Sequence, residues 1–368
     1  MQPHLVHVFP TFAVGGAQTV MAQIINGLGT GFRHSIVALD GRFQACEKIT
    51  SDASVVCVDA SETRGLKAAW QHLNALNPDL VTSCNWGSFD WALAAALRPG
   101  LRHLHQEHGF GLEEASRRHR RRNLARRVML RGSDGLIVPS KTLQTLALRE
   151  WRCPPDKLHY VPNGVDGETL RAGTATNKPE PGNITIGTVA PLRPEKQIGH
   201  LIRAFAKLQK LAPNLWPELR LRVVGDGSER GPLEKLVLQS QLHGQVEFFG
   251  HRDDPVHCIA GFDIYAISSA TEQLPVSILH AMALGKPVAG YDVGDVAMMV
   301  SSDNAATIIA SQDPDELAQR LHRLVDDATL RADLGAKNAE IQMARYGEQD
   351  MIERYRALFT AGLREAIG

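Results

Sequence analysis

Residues 268–294 read SSATEQLPVSILHAMALGKPVAGYDVG and contain the signals of a turn, a helix and a strand in succession. They follow the apolar run 262–267, which predicts a strand. Pro275 has a fixed φ and no backbone N–H, so it suits the first turn of a helix. Gly285 ends that helix before a second predicted strand, residues 287–291. The stretch therefore predicts a strand, a helix and a further strand of a parallel α/β sheet.

The turn before this helix carries groups that suit an anionic ligand with hydroxyl groups. The backbone N–H groups of Gln273 and Leu274 and the dipole of the helix attract an anion. Glu272, just ahead of them, offers a carboxylate that accepts hydrogen bonds from hydroxyls. A ligand that has both phosphate and hydroxyl groups fits this turn.

The same alternation of short apolar runs and helical patterns extends along the chain. In the first half, the predicted strands are residues 5–9, 35–39, 54–58, 80–84, 103–106, 135–138 and 158–161. In the second half they are residues 184–189, 219–224, 246–249, 262–267, 287–291 and 307–309. Residues 171–183, rich in Gly, Thr, Asn and Pro, predict a linker between the two sets. The predicted fold class is α/β, with two doubly wound parallel-sheet domains facing a central cleft that holds the ligand.

Composition narrows the class of protein. A chain of 368 residues suits two domains, and its 40 Lys and Arg balance its 40 Asp and Glu. This neutrality argues against a nucleic-acid partner, whose phosphates need many cationic contacts. The five cysteines are scattered, so we expect reduced core thiols and a cytoplasmic protein. No apolar run approaches the length of a membrane span, and the N-terminus does not have the pattern of a signal peptide.

Other motifs follow predicted strands of the first domain. Gly15 and Gly16 open the first helix, so a ligand can approach the backbone closely, although a plain tight turn uses the same residues. Glu107 and His108 suit contacts to hydroxyl or phosphate groups, with a buried structural histidine as the alternative. Trp86 is either an aromatic platform for a sugar ring or a core residue.

Residues 268–294 resemble the E-x7-E region of the retaining GT-B glycosyltransferases known as family 4. In that family the first Glu contacts the donor sugar, the turn amides contact the sugar and the pyrophosphate, and the second Glu holds the ribose. The resemblance implies that Glu272 binds sugar hydroxyls and that Gln273 and Leu274 contribute backbone amides. His280 stands at the position of the second Glu and is the candidate for the ribose contact.

Residues 187–196, GTVAPLRPEK, resemble the family's G-R-L-x-P-x-K stretch, in which an Arg and a Lys clamp the pyrophosphate. Lys196 aligns with that Lys. Pro191 occupies the position of the Arg, and Arg193 is the nearby substitute, with a solvated surface arginine as the alternative. The resemblance thus implies that Lys196 and Arg193 offset the charge on the departing nucleotide. His251 follows the strand at the family's base-binding edge.

Three further stretches resemble family blocks. Gly15 and Gly16 resemble the glycine loop, which lies beside the donor diphosphate and the acceptor. Glu107 and His108 resemble the first-domain position where a His lies near the transferred sugar. Residues 224–227, VGDG, resemble a second-domain block whose glycines either turn the chain tightly or contact a ligand.

The family resemblance implies a role for each part of the chain and a reaction. Residues 1–170 would form an acceptor domain, residues 171–346 a donor domain, and residues 347–368 a helix that crosses back to the first domain. The implied reaction is retaining transfer of a sugar from a UDP- or GDP-linked donor to a glycan or lipid-linked acceptor in bacterial polysaccharide biosynthesis. It needs no metal or other cofactor, since positioning and charge stabilisation carry the catalysis. The alternatives are a catalytically degenerate subunit that supports a partner transferase, and a nucleotide-sugar epimerase or hydrolase of GT-B shape.

Residues 117–131 hold eight arginines among apolar residues. A helix this cationic is either a solvated face or a surface that docks on anionic lipid, where each basic residue contributes about 1 kcal/mol. A third reading is recognition of a phosphate-bearing acceptor. The lipid reading would place the protein peripherally on the inner face of the plasma membrane.

Overall fold

The computed structural model describes residues 2–50, 52–110, 114 and 119–362. Contacts divide the chain into two compact units, residues 1–164 with 348–368 and residues 165–347. Each unit contains one parallel β-sheet surrounded by helices, which is the arrangement of a doubly wound α/β domain. The prediction of two Rossmann-like parallel-sheet domains is confirmed.

The first unit is built on a seven-stranded parallel sheet in the order β3-β2-β1-β4-β5-β6-β7. Its strands are β1 (His4–Phe9), β2 (Arg33–Ala38), β3 (Ser54–Asp59), β4 (Leu80–Cys84), β5 (Arg102–Gln106), β6 (Gly135–Val138) and β7 (Leu158–Tyr160). Parallel strands bring all their carboxyl ends to one edge of the sheet. The loops after β1, β4 and β5 therefore bring Gly15, Trp86 and His108 to that edge.

Six helices of the described chain belong to this unit. They are α1 (Gly16–Leu28), α2 (Leu66–Leu76), α3 (Phe89–Ala96), α4 (Arg120–Gly132), α5 (Lys141–Arg149) and, after the second unit, α14 (Glu348–Thr360). Helix α14 packs against α1, where Ile352 fills the space beside Gly27. Its residues Tyr355 and Phe359 are buried in the unit. Arg102 secures the end of α14 by donating to the Phe359 carbonyl oxygen at 3.1 Å.

The second unit is built on a six-stranded parallel sheet in the order β10-β9-β8-β11-β12-β13. Its strands are β8 (Ile184–Val189), β9 (Leu219–Val224), β10 (Val246–Gly250), β11 (Ile264–Ile267), β12 (Val288–Tyr291) and β13 (Ile308–Ile309). Its helices are α6 (Gly167–Gly173), α7 (Ile198–Leu211), α8 (Arg230–Gln239), α9 (Pro255–Ala260), α10 (Val276–Ala283), α11 (Val296–Met299), α12 (Pro314–Asp326) and α13 (Ala328–Arg345). Within the described part of the chain, no helix is both long and apolar enough to cross a membrane.

The predicted linker, residues 171–183, begins inside a helix. Asp166 caps α6 by accepting from the backbone N–H groups of Glu168 and Thr169, each at 3.1 Å. Arg171 donates from Nη1 to the Ala283 carbonyl oxygen at 3.0 Å and so secures α6 to α10. The Asp cap outweighs the turn-forming composition that follows it, and the linker prediction is wrong at its first residues.

The cysteines do not all lie in the core. Cys84 and Cys153 are buried, as the sequence predicts. Cys57 is exposed, and Cys46 and Cys258 are partly exposed. The prediction of core thiols is therefore wrong for these three, since each lies near the periphery of its unit rather than on a central strand.

Candidate functional site

Lys196 lies beyond the carboxyl end of β8, on a short 3-10 helix, Pro194–Lys196. Strand β8 pairs with β11, so the loops after the two strands run side by side. The Ala270 N–H donates to the Glu195 carbonyl oxygen at 2.8 Å. Ser268 donates from Oγ to the Lys196 carbonyl oxygen at 3.0 Å. The backbone that carries Lys196 is therefore fixed by the turn that carries Glu272.

The side chains of Lys196 and Glu272, 76 residues apart in the chain, form an ion pair across these two turns. Lys196 Nζ lies 2.5 Å from Glu272 Oε1, and the side chains are 18% and 14% exposed. Partial shielding from water makes such a pair stronger than an exposed one. This edge thus presents one cation and one carboxylate, which neutralise each other and remain reachable from solvent.

The turn of residues 272–274 is held in place by the loop after β12. The Asp295 N–H donates to the Gln273 carbonyl oxygen at 2.9 Å. Gly294 has φ +63°, and a Cβ at this position would lie 2.3 Å from the Glu272 carbonyl oxygen. Gln273 and Leu274 are buried. Glycine is needed at position 294 because both the left-handed backbone and the close approach exclude a side chain.

His280 lies on α10, which begins just after this turn. Its side chain is partly exposed, whereas the adjacent Leu279 and Ala281 are buried. His280 is therefore on the accessible side of the helix. Its carbonyl oxygen accepts from the Leu284 N–H at 3.1 Å at the end of α10.

Arg193 and His251 are more exposed than the Lys196–Glu272 pair. Arg193 is exposed and lines a surface hollow together with Arg203 on α7 and Glu229 before α8. The His251 side chain is 60% exposed and lies 3.5 Å from Asp253. The Arg193 carbonyl oxygen accepts from the Lys196 N–H at 3.0 Å, so the backbone of Arg193 helps to position Lys196.

The glycines of the VGDG block have a packing function. Gly225 has φ +134°, and a Cβ there would lie 1.9 Å from the Ala190 carbonyl oxygen. Gly227 has φ +158°, and its Cβ would lie 2.4 Å from the Leu192 carbonyl oxygen. The loops after β8 and β9 approach closely at these glycines. Of the two interpretations of this block, a tight turn or a ligand contact, the structure supports the tight turn.

In the first unit, Gly15 and Gly16 form the start of α1. Among the described residues, no atom outside the local backbone lies within 4 Å of the Cβ position of Gly16, so the helix N-terminus is open on this side. Gln18 stabilises the loop between β1 and α1, because its Nε2 donates to the Thr11 carbonyl oxygen at 2.9 Å. A helix N-terminus that is open on one side is suited to an anion.

His108 and Glu107 lie at the carboxyl end of β5. The His108 N–H donates to Asn85 Oδ1 at 2.7 Å, and its Nε2 lies 3.3 Å from Gln106 Oε1. Burial lowers the pKa of His108 to about 4, an effect that Glu107 opposes and His105 reinforces. The imidazole is therefore neutral near pH 7 and acts as a hydrogen-bonding group rather than a cation.

Glu107 is fully buried and binds Arg126, a residue whose role the sequence does not reveal. Arg126 Nε donates to Glu107 Oε2 at 3.2 Å, whereas Glu107 Oε1 has no hydrogen-bond partner among the described residues. The guanidinium also donates to both oxygens of Glu114, each at 3.2 Å. Burial raises the pKa of Glu114, but hydrogen bonds and charge from Arg126 and Arg122 outweigh it and hold that pKa below its ordinary value.

Aromatic rings surround the same guanidinium. Its central carbon lies 5.1 Å from the ring centroid of Trp86, 5.6 Å from that of Phe110 and 5.0 Å from that of Trp151. Cation–π attraction adds to the ion pairs. Trp86 also stacks on Phe89, with ring centroids 4.6 Å apart. Trp86 is thus a packing partner of the arginine, which favours its structural reading over that of a sugar platform.

The predicted basic surface, residues 117–131, therefore has two sides. Arg126 is 1% exposed, so the reading of this stretch as wholly surface is wrong for that residue, because two carboxylates and three rings replace water around it. On the opposite side, Leu124 and Val128 are 60% and 54% exposed. The exposed arginines that flank them are Arg120, Arg121 and Arg131. Arg117 and Arg118 lie outside the described residues.

Buried histidines form hydrogen-bonded groups within the first sheet. His7 Nε2 lies 3.0 Å from His34 Nδ1, and Ser83 Oγ lies 2.8 Å from both His103 Nε2 and His105 Nδ1. Burial, with a smaller contribution from neighbouring histidines, lowers the pKa of His103 to about 3 and that of His34 to about 4. These rings are therefore neutral structural groups at pH 7.

Two protein families match this sequence. The family described as Glycosyl transferases group 1 matches residues 174–341, and the family Glycosyltransferase Family 4 matches residues 14–169. Together the two matches extend over both units. The chain therefore belongs to the group 1, family 4 glycosyltransferases and has the GT-B fold.

Individual relatives are more distant. The D-inositol 3-phosphate glycosyltransferase of Stackebrandtia nassauensis is 28% identical over 278 residues, which are 70% of this chain and 62% of that protein. The chain thus matches less than two thirds of that relative's length. The sucrose-phosphate synthase of Thermosynechococcus elongatus has a TM-score of 0.79 at 18% identity, covering 98% of this chain and 100% of the other. Anabaena HepE in complex with UDP and glucose has a TM-score of 0.78 at 18% identity with the same coverage. At this identity the likeness establishes the fold alone.

Proposed function

We propose that this protein is a retaining glycosyltransferase that transfers a sugar from a nucleotide-diphosphate sugar to a glycan or lipid-linked acceptor. The observation that carries the proposal is the Lys196–Glu272 pair at the adjoining ends of β8 and β11. It puts a cation suited to a diphosphate beside a carboxylate suited to sugar hydroxyls. The donor is UDP- or GDP-linked, and the likeness to HepE, which is described with UDP and glucose, supports the first of these.

In the proposed reaction, the donor comes between Lys196 and Glu272, whose opposite charges form an ion pair. Glu272 accepts hydrogen bonds from sugar hydroxyls, while Lys196 approaches the diphosphate. As the bond between sugar and diphosphate breaks, negative charge grows on the leaving group and Lys196 stabilises it. The backbone N–H groups of Gln273 and Leu274 add to this stabilisation, and Arg193 can turn towards the same charge from its exposed position. The chain contributes positioning and charge and needs no metal ion.

The first unit is the proposed acceptor domain. Neutral His108 can donate to or accept from a sugar hydroxyl, and Glu107 lies beside it with one oxygen that has no hydrogen-bond partner among the described residues. Gly16 leaves the start of α1 open on one side to an anionic group, whereas the Cβ position of Gly15 lies 2.6 Å from Gln18 Oε1. The S. nassauensis relative, whose name gives a phosphorylated acceptor, makes a phosphate-bearing acceptor the first to test. We place the reaction in bacterial glycan biosynthesis in the cytoplasm.

The outer side of α4 is the proposed contact with an anionic membrane surface. Leu124 and Val128 offer apolar groups, and Arg120, Arg121 and Arg131 flank them with positive charge. This combination fits a helix that lies in the lipid headgroup region. Binding to anionic vesicles should fall when the three arginines become Gln, and it should fall steeply with salt. Equal binding of parent and variant, or none to either, would contradict this contact.

The central test is donor binding followed by transfer. Purified protein is titrated calorimetrically with UDP-, GDP- and ADP-sugars, and a donor that binds is then tested for turnover with membrane extracts. Lys196→Ala and Glu272→Ala should each lower turnover at least about a hundredfold, a loss of about 2.7 kcal/mol in transition-state stabilisation. Lys207→Ala is the matched control, because Lys207 pairs with Asp315 on the exposed surface of the same unit.

Three outcomes separate the proposal from its alternatives. Near-normal turnover in both variants would refute the assigned roles of Lys196 and Glu272. Donor binding without turnover would favour the degenerate subunit. Release of a free sugar or of an epimerised nucleotide sugar, without transfer, would favour a hydrolase or an epimerase.

A further inference from the structure

Two cysteines of the first unit lie in contact. Cys46 is on a 3-10 helix, Gln44–Lys48, and Cys57 is on strand β3. Their sulfur atoms are 3.1 Å apart, and both are free thiols. A disulfide bond is about 2.0 Å long, so closing the bond requires a movement of about 1 Å. The backbone already brings the two side chains together.

The two thiols differ in accessibility. Cys57 is exposed on β3, which is the edge strand of the seven-stranded sheet. Cys46 is partly exposed, and burial, the hydrogen bond to Cys57 and the neighbouring thiol raise its pKa to about 12. Dissolved oxidants therefore meet Cys57 first, and Cys46 lies in position to react next. Cys84 and Cys153 are buried and lack this access.

The segment that carries Cys46 is tied to the loop that leads into α1. The Phe12 N–H donates to the Arg42 carbonyl oxygen at 3.1 Å, and the Ala45 N–H donates to the Phe12 carbonyl oxygen at 3.0 Å. Asn26 on α1 binds the far side of the segment, where its Nδ2 donates to the Lys48 carbonyl oxygen at 2.8 Å. A cross-link at Cys46 would therefore join strand β3 to the backbone next to Gly15 and Gly16.

We propose that Cys46 and Cys57 form a redox modification site, at which a small-molecule disulfide such as oxidised glutathione converts the two thiols into an intramolecular disulfide. The Cys57 thiolate attacks the small disulfide, forms a mixed disulfide and releases one small thiol. Cys46, on losing its proton, attacks the Cys57 sulfur and releases the second small thiol. Two protein thiols are oxidised and one small disulfide is reduced, so atoms and electrons balance.

Oxidation would alter the first unit locally. The bond closes a short loop that includes strand β3, and it removes freedom of the segment that supports the start of α1. Since that helix start is the proposed anion site of the acceptor domain, the oxidised protein should differ in acceptor KM and not in donor affinity. This second consequence rests on the proposed function, whereas disulfide formation does not. In a reducing compartment such a bond is transient, as expected of a redox-sensitive site.

The experiment incubates the full chain with oxidised glutathione and maps its cysteines by mass spectrometry. The parent should lose two thiols and yield one cross-linked peptide containing Cys46 and Cys57. Cys46→Ser should instead retain glutathione on Cys57, and Cys57→Ser should remain unmodified at Cys46. Cys258→Ser, a partly exposed cysteine of the second unit, should behave as the parent does. Circular dichroism checks that each variant is folded.

The results distinguish the modification from its effect. Five unmodified thiols after long incubation, or a cross-link between other cysteines, would overturn the proposed site. An acceptor KM that changes at least about threefold on oxidation of the parent, and not of Cys57→Ser, would establish the link to α1, and an unchanged KM would refute that link alone. If transfer is never detected but the cross-link forms, the modification stands and the proposed function fails.

Discussion

Replacing Arg126 with Met tests whether the buried cluster of Arg126, Glu107 and Glu114 holds the first unit together. Met has a similar length and an apolar side chain, so it can keep part of the contact with the surrounding rings. It removes three hydrogen bonds to carboxylates, each 3.2 Å long in the structure. Glu107 would then be buried without its cation, and Glu114 would keep only its 3.2 Å contact with Arg122.

The expected loss of stability in Arg126→Met follows from the burial of Arg126 and Glu107. Arg126 is 1% exposed and Glu107 is not exposed at all, so water cannot replace the lost partner. Breaking a buried ion pair by removing one partner typically costs about 3–5 kcal/mol. For a unit of this size, each kcal/mol shifts the unfolding temperature by about 2–4 °C, so we expect a decrease of roughly 6–20 °C.

Tryptophan fluorescence during urea unfolding measures the loss. Four of the five tryptophans lie in the first unit, namely Trp70, Trp86, Trp91 and Trp151, so the signal reports mainly on that unit. Arg121→Met is the matched control, since Arg121 lies on the exposed side of the same helix. Its effect should stay within about 0.5 kcal/mol.

A loss below about 1 kcal/mol in Arg126→Met would refute this reasoning. The triple variant Arg126→Met, Glu107→Gln and Glu114→Gln should regain part of the lost stability, because it no longer buries unpaired charge. The pH dependence of stability at low pH gives a second test. In the parent, the lowered pKa of Glu114 stabilises the fold above its ordinary range, and that contribution is lost as pH falls through the folded-state value. The deficit of Arg126→Met should therefore shrink in acid, and a constant deficit would count against the electrostatic explanation.

The remaining predictions concern acid stability, one turn and the ribose contact. The free energy of unfolding of the first unit should fall by several kcal/mol as pH drops from about 6.5 towards 4. The pKa values of His34 and His103 are lowered in the folded protein, so the unfolded chain binds protons that the folded chain does not. Urea midpoints that stay constant over this pH range would contradict this. Gly294→Ala should lose about 2–3 kcal/mol in thermal unfolding, since φ is +63° and the new Cβ would lie 2.3 Å from a carbonyl oxygen. Gly231→Ala is its control and should gain stability by about 0.5–1 kcal/mol, because the site is helical and open. His280→Glu should bind the sugar nucleotide at pH 8 at least as tightly as the parent, since a carboxylate accepts from both ribose hydroxyls; weaker binding by calorimetry would remove His280 from the ribose contact.

Local patterns in the sequence predict much of the fold. Strands β8 (Ile184–Val189) and β9 (Leu219–Val224) have the predicted bounds, because β-branched residues lie between clear turn signals. The turn at Glu272 and the helix after Pro275 follow from proline, glycine and apolar spacing alone. The ion pair of Glu272 with Lys196 depends on the adjacency of β8 and β11, which no local pattern encodes.

The part that sequence patterns miss is set by contacts between distant segments. Residues 117–131 look like a cationic surface when charges are counted along the chain. The surroundings of Arg126 come from three other places, with Trp86 after β4, Glu107 after β5 and Trp151 after α5. A signal was present in the sequence, because Met129 and Leu130 lie three and four residues after Arg126 and share its helix face, which is the buried one. An arginine on the apolar face of a helix is a reason to look for carboxylates elsewhere in the chain.

Helix α14 belongs to the first unit but follows the second unit in the chain, so the first unit is completed only after the second has been synthesised. The buried residues Tyr355 and Phe359 of α14 complete the core of the first unit. Residues 165–347 are synthesised after the first part of that unit and before α14. At about 5–20 residues per second, a ribosome needs roughly 10–40 s to translate that insert. During this interval the nascent first unit exposes the apolar groove that α14 later fills, near Gly27 and His7. Chaperones that bind apolar surfaces have that interval in which to engage the chain, and faster elongation through the second unit should raise the yield of folded protein.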